Sequence, residues 1–389
     1  MKVAILSKAG VWGGLEVHAV GLTQALIRRG HDAFILCLDQ ATRELYQLFG
    51  GDRVPLVQVN GSKPTEQRGC LDWLTAFRRI TADACIFEKN TLHTGSLSLD
   101  IAARLQFRRF VTIQQLEPPP LPAWSRGRYL GDLIPGLGLW WYRMKWAGYW
   151  RSVVPQKTIC VCQAVSDQLR TNYRFAPQKL VIVHNGIDPE RFRADPVGRR
   201  KVRADWGLSN DALVFGSARR LAQDKGLDVA IEAFALLVGK FPGRETALVL
   251  VGEGPERAAL ERLARERQIA HKVIFSGFLP NPCLAYSGLD IFLMPSRREA
   301  LSIALLEAMA AGCCPIASNV GGMPEILTDP SLGWLVPPDD PRALAQAMET
   351  ALLMKPEERA QMQGRAREHV VAHFNAQTQF LKIAEIIEQ

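Results

Sequence analysis

The sequence predicts an α/β protein of two domains, each a parallel sheet with crossover helices, on three observations. Short apolar, β-branched runs alternate with amphipathic stretches at helical spacing, the pattern of strand–helix–strand units. The runs fall into two batches, separated by a segment rich in proline, glycine and charge. The chain has 389 residues, enough for two or three substantial cores.

In order, KVAILS (2–7), DAFILCL (32–38), ACIFE (84–88), FVTIQ (110–114), TICVC (158–162) and LVIVHNG (180–186) read as strands of the first domain. ALVFGSA (212–218), ALVLVGEG (247–254), KVIFSGF (272–278), DIFLMPS (290–296) and CCPIASN (313–319) read as strands of the second. Between them lie NGIDPERFRADP (185–196) and a charged stretch ending near Trp206. This places a first domain at 1–190, a second at 191–374 and a final amphipathic helix at 375–389. The last carries Phe380, Ile383 and Ile387 on one stripe, which must pack against one domain or the other.

Composition narrows the class. Hydrophobic content of 48% and charged content of 22% are ordinary for a soluble globular chain. The opening residues lack the layout of a secretory signal, and no run reaches the roughly 20 apolar residues of a membrane span. A cytoplasmic location is the expectation, with the inner face of the cell membrane as the alternative. The eight cysteines show no disulfide framework or zinc spacing, which suits buried free thiols in a reducing compartment. A net charge of +8 points to an anionic partner. The basic residues form no recognisable nucleic-acid module, so nucleic acid is not expected as a partner.

The segment REALSIALLEAMAAG holds Glu299 in a loop after a strand and Glu307 on the helix that follows. Both can face a crevice at strand carboxyl ends, where open α/β sheets bind ligands. NVGGMPE follows, with Gly321 and Gly322 ahead of Glu325; backbone amides and acids gathered there suit a hydroxyl-rich sugar joined to a phosphate. GSARRLAQDKG puts Arg220 and Lys225 at another strand end, where a guanidinium and an ammonium can neutralise a diphosphate. A solvated basic turn would carry the same residues. Near the start, SKAGVWGGLE sets Gly13, Gly14 and Glu16 at a strand-to-helix turn able to hold a phosphate or sugar. Its glycine spacing is not the dinucleotide fingerprint, and a plain tight turn is the competing reading.

The order GG-x-E, NG-x-D, RL-x-x-x-KG, E-x7-E and GG-x-x-E, spread over nearly the whole chain, resembles the retaining glycosyltransferases of family 4. The resemblance implies the GT-B fold: two Rossmann-like domains with parallel sheets facing a cleft, a nucleotide-sugar held mainly by the second, and a final helix crossing back to the first. It implies that Arg220 and Lys225 grip the donor phosphates, Glu307 accepts from the ribose hydroxyls and Glu299 lies beside the transferred sugar. It also implies that the backbone of Leu301, Ser302, Ile303, Ala304 and Leu305 offers amides to sugar and phosphate, with Gly13 and Gly14 facing the diphosphate from the first domain. Charge builds on the departing diphosphate as the anomeric carbon becomes oxocarbenium-like, and fixed cations stabilise that state beyond the ground state.

Retention in such enzymes implies attack on the face the diphosphate leaves. No Asp-x-Asp motif is present, so no metal or other cofactor is expected. The donor would be a UDP- or GDP-sugar and the acceptor a glycan or lipid-linked sugar of a surface polysaccharide or glycolipid. Acceptor-side candidates are Glu16, Gln114, His93 and Glu325. Gln114 stands where many relatives have histidine, and it cannot shuttle a proton at neutral pH. His93 also reads as a capping or packing residue, and Cys162 stands where relatives often have serine.

Residues 120–151 hold five of the nine tryptophans (Trp124, Trp140, Trp141, Trp146 and Trp150), with Arg126, Arg128, Arg143, Lys145 and Arg151 among them. That mix suits an anionic membrane surface, or helices packing their aromatics inward. A non-hydrolysing nucleotide-sugar 2-epimerase and a non-catalytic sugar-nucleotide-binding subunit are the competing functions.

Overall fold

The computed structural model describes residues 1–7, 14–50, 54–59, 69–89, 96–115, 149–279 and 281–389. Gly13, His93 and all of the aromatic-basic segment before Tyr149 lie outside the described residues. The chain divides into two compact units, Met1–Asn185 with Ala376–Gln389, and Gly186–Asn375.

The first unit is a seven-stranded parallel sheet of β1 (Lys2–Ser7), β2 (Asp32–Cys37), β3 (Leu56–Gln58), β4 (Ala84–Lys89), β5 (Arg109–Gln114), β6 (Lys157–Cys160) and β7 (Leu180–Ile182). The order is β3-β2-β1-β4-β5-β6-β7, so the direction of winding reverses between β1 and β4. Among the described residues its helices include α1 (Gly14–Arg28), α2 (Gln40–Leu45), α3 (Cys70–Phe77), α4 (Leu97–Gln106) and α5 (Gln163–Tyr173). Central strands are buried on both faces, which is why they read as continuous apolar runs. One face packs Leu6, Leu36 and Phe87 against Trp73, Phe77 and Leu99.

The C-terminal helix, Ala376–Glu388, packs on α1 within this unit. Phe380 meets the His18 ring edge-on at 5.1 Å. Glu388 receives Arg29 at 2.8 Å and His31 at 2.9 Å, and Arg109 donates to the Ile387 carbonyl at 2.8 Å.

The second unit is a six-stranded parallel sheet of β8 (Leu213–Ala218), β9 (Thr246–Val251), β10 (Val273–Gly277), β11 (Ile291–Met294), β12 (Cys314–Ser318) and β13 (Trp334–Val336), in the order β10-β9-β8-β11-β12-β13. Winding reverses between β8 and β11. Helices α6 (Pro196–Asp205), α7 (Leu227–Lys240), α8 (Arg257–Glu266), α9 (Pro282–Gly288), α10 (Ile303–Ala310), α11 (Met323–Ile326), α12 (Pro341–Leu353) and α13 (Pro356–His373) cover it.

All eleven apolar runs form strands; β3 and β13 are additional edge strands of three residues each, too short to show a period. The division between units falls at Asn185/Gly186, before the boundary expected at 190. The cause is backbone pairing: Ile187 bridges Asn375 and donates to the Phe374 carbonyl, while Arg367 donates to the carbonyls of Pro189 and Phe192. The charged stretch after it is helix α6, started by Pro196 and capped by Asp195. All eight cysteines are free thiols. No helix among the described residues is long and apolar enough to cross a membrane.

Candidate functional site

In the second unit the candidate groups stand where the winding reverses, at the carboxyl ends of β8 and β11, a crevice that open parallel sheets reserve for ligands. β8 ends at Ala218 and the chain passes through a single turn of 3-10 helix, Gln223–Lys225, into α7. Gly226 makes that path possible. It has φ of +62° and lies so close to the β11 end that an added Cβ would sit 2.0 Å from the Pro295 carbonyl oxygen. Lys225 is thereby held beside the loop that carries Glu299.

The Glu299 carboxylate accepts from Arg219 Nη2 at 2.8 Å, Lys225 Nζ at 3.2 Å and Ser296 Oγ at 3.5 Å, all on Oε2. No described residue donates to its Oε1. Arg219 Nη1 also donates to Ser296 Oγ at 2.6 Å, and its buried Nε has no partner among the described residues. Lys225 lies 3.1 Å from Asp224 as well. Arg220 points outward, its side chain 66% exposed and 3.7 Å from Asp224. Of two adjacent arginines the structure therefore puts Arg219 in the buried cluster and leaves Arg220 open to an incoming anion. Arg219 was missed in the sequence because nothing there says which way each side chain of a strand-end pair turns.

Gly321 joins the same edge. At φ of +53°, its Cβ position would fall 1.7 Å from the Glu299 carbonyl oxygen, so only glycine fits. The Gly322 amide donates to the Ala300 carbonyl at 2.6 Å. The Gly322 amide is thus engaged within the protein, packing the glycine turn onto the loop that carries Glu299. Glu325, in the first turn of α11, follows those glycines and belongs to this second unit, whereas Glu16 and Gln114 belong to the first.

Ser302 caps α10, its hydroxyl accepting the Leu305 amide at 3.2 Å. That amide is therefore engaged, while those of Ile303 and Ala304 have no intrahelical acceptor, as at any helix start. Leu301, just ahead of the cap, is buried.

Glu307 is in a second, separate cluster: Tyr286, on α9, donates to its Oε2 at 2.7 Å. Burial pushes the Glu307 carboxyl up to about 7, against the opposing pull of the Tyr286 hydroxyl and the Arg191 guanidinium. Burial, then the nearby Glu307 charge, holds Tyr286 a phenol far above its usual range, so it remains a donor. Tyr286 carries no motif and was reachable only through space.

The sign of the resulting pH dependence follows from linkage. The folded state keeps its proton while the unfolded carboxyl, with an ordinary value of 4.5, loses it. Stability from this group is complete below the unfolded value and is lost as pH rises through about 7. Relative to wild type, Glu307→Gln should gain stability across that window, by at most about 3 kcal/mol. Urea midpoints of both proteins at several pH values would check it; parallel curves would refute the raised carboxyl.

In the first unit, Glu16 is buried in the first turn of α1 and Gln114 is buried at the end of β5. Gly14 is the first residue of α1. Register aligns Gln114 with Lys89 of β4, which makes a buried ion pair to Asp100 at 2.7 Å. On the other sheet face His18 Nδ1 lies 2.9 Å from Glu88 Oε1. Neither pair was legible as a motif.

Among the described residues no three His, Cys, Asp or Glu side chains gather as metal ligands. A cavity of about 440 Å³ opens at the opposite, amino-terminal strand ends of the second unit, lined by Arg199, Asn210, Tyr286, Asp290 and Arg359 among others; Tyr286 borders it, while Arg219, Lys225, Glu299 and Glu307 do not.

The chain matches the family described as Glycosyltransferase Family 4 over residues 12–191 and that described as Glycosyl transferases group 1 over residues 198–369. A D-inositol 3-phosphate glycosyltransferase of Saccharomonospora viridis is 36% identical over 213 residues, 52% of this chain and 49% of that one. The chain thus spans about half the length of that relative. An uncharacterized glycosyltransferase of Methanocaldococcus jannaschii is 24% identical over 90% of this chain and 89% of its own. Among solved structures, Anabaena HepE in complex with UDP superposes with a TM-score of 0.80 at 19% identity over the whole of both chains, and the same protein has been solved with UDP-glucose. With both halves matched and the two parallel sheets in place, the chain belongs to the family 4 glycosyltransferases and has their GT-B fold.

Proposed function

We propose that the protein moves a hexose-type sugar from a nucleotide-sugar, a UDP- or GDP-sugar, to a glycan or lipid-linked acceptor, with retention of anomeric configuration. The observation that carries this reading is the Arg219–Lys225–Glu299 cluster at the sheet's reversal point, with exposed Arg220 beside it. Lys225 is held by carboxylates at distances a diphosphate oxygen can match, so it can exchange partners as charge grows on the leaving group. In this reading Glu299 accepts from a sugar hydroxyl through Oε1, while Oε2 keeps Arg219 and Lys225. Glu307, once ionised, accepts from ribose hydroxyls with Tyr286 steadying it. HepE, solved with UDP-glucose, supports a donor of this class.

In this reading the acceptor is deprotonated with help from a donor phosphate oxygen, since Gln114 cannot take a proton. Arg220 and Lys225 supply the positive charge, so no divalent metal is essential and chelators should leave activity intact.

Thermal shift and calorimetry with UDP, GDP, ADP and their sugars test the donor site. One diphosphate series should bind, and Glu307→Ala should weaken it by about tenfold to a hundredfold, the loss of one or two charge-assisted hydrogen bonds. Binding of none of these nucleotides by the wild type would defeat the reading. A product epimerised without any acceptor would favour the epimerase instead.

A further inference from the structure

Arg297 is two residues ahead of Glu299 and takes no part in the clusters above. Its guanidinium nonetheless ties together the segments that form them. Nη1 and Nη2 fork onto Asp228, in the first turn of α7, at 2.8 and 2.6 Å. Nη1 also donates to the Gln223 carbonyl at 2.7 Å, in the turn that presents Lys225. Nε donates to Asp339 at 2.6 Å, in the loop between β13 and α12. The Arg297 backbone amide donates to the Asp224 carbonyl at 3.0 Å.

Exposed ion pairs contribute little, but a bidentate fork within a network is the exception, because its planar geometry sets an angle as well as a distance. A second observation agrees. Asp339 has φ of +55°, a left-handed conformation uncommon in a residue with a side chain, and its carboxylate is one that Arg297 holds. Lys225 itself ends a flexible stem and cannot fix the spacing of its own loop to that of Glu299.

We propose that Arg297 is a positioning residue for the diphosphate grip: it locks the Lys225 turn to the Glu299 loop and couples both to the loop after β13. This rests on the reading that the site takes a nucleoside diphosphate. The guanidinium's contribution is then geometric. It should be felt by a ligand that Lys225 and Arg220 grip through the second phosphate, and hardly at all by one that lacks it.

The test compares UDP with UMP, or the matching pair for whichever base the wild type binds, by calorimetry on wild type, Arg297→Ala and Arg297→Lys. Arg297→Ala should lose about tenfold in diphosphate affinity, no more than removal of Lys225 itself, and less than about twofold for the monophosphate. Arg297→Lys keeps the charge between Asp228 and Asp339 without the fork; folding as wild type by near-ultraviolet circular dichroism, it should show a smaller loss confined to the diphosphate. In turnover the deficit should fall on kcat more than on the acceptor KM. Equal losses for both nucleotides, or none in either variant, would overturn the positioning role. Failure of the wild type to bind any nucleoside diphosphate would instead remove the donor-site reading on which it stands.

Discussion

Lys225→Ala is expected to lower turnover by about two to three orders of magnitude while weakening donor affinity by only about tenfold, as when one preorganised donor to a developing charge is removed. The argument runs from placement. Lys225 is in a turn pinned by Gly226 against Pro295, and its ammonium is shared between Glu299 and Asp224 in the free protein. In the proposed reaction a ground-state diphosphate would displace those partners for similar interactions, so the gain in affinity would be modest beside the effect on turnover. As the sugar departed in that reaction, negative charge would gather on the oxygens facing the ammonium, and its contribution would grow. Steady-state kinetics with the donor identified by nucleotide screening would measure this. Comparable kcat in the variant and the wild type would remove Lys225 from the reaction.

Arg203→Ala is expected to destabilise the second unit by about 3–5 kcal/mol, the range for breaking a buried ion pair from one side. Arg203 is fully buried. It donates to the carbonyls of Gly288, Asn210 and Ala212, each at 2.9 Å, to that of Ser209 at 3.3 Å, and to Asp290 at 2.7 Å. Asp290 in turn receives the Val214 amide and Arg199, so one guanidinium joins α6, the start of β8 and the start of β11. Alanine would orphan several carbonyls and leave Arg199 alone to balance Asp290. A lysine has at most three donors and cannot restore the set. Denaturant unfolding followed by a probe in the second unit, such as Trp206 or Trp334, would detect the shift. An unchanged midpoint would mean that water replaces the lost donors at no net expense.

These two residues mark how far the sequence could be read. Lys225 follows a strand and precedes a glycine, a local pattern, and so it stood out. Arg203 lies in a charged stretch that reads as a linker, and only burial by the start of the sheet reveals it as a core residue. Arg219 and Arg220 are neighbours of the same type; their opposite orientations depend on the packing of the β8 end against Ser296 and Glu299. Tyr286 reaches Glu307 across 21 positions of chain, and no periodicity records such a meeting. The paired glycines Gly321 and Gly322 were visible as special, yet their duty, close contact with the Glu299 loop, appears only when both backbones are in place.

The sequence by itself determined the class, the strands and the order of the motifs. Strands buried on both faces must be apolar throughout, helices covering them must be amphipathic, and turns at strand ends need glycine and charge, all of which are local demands. Tertiary structure alone decided which side of the sheet's reversal each motif joins, which arginine is buried, where the unit boundary falls and which contacts link the Lys225 turn to the Glu299 loop. Those outcomes depend on contacts between segments far apart in the chain. Their energies come from desolvation and geometry that no single stretch of residues contains.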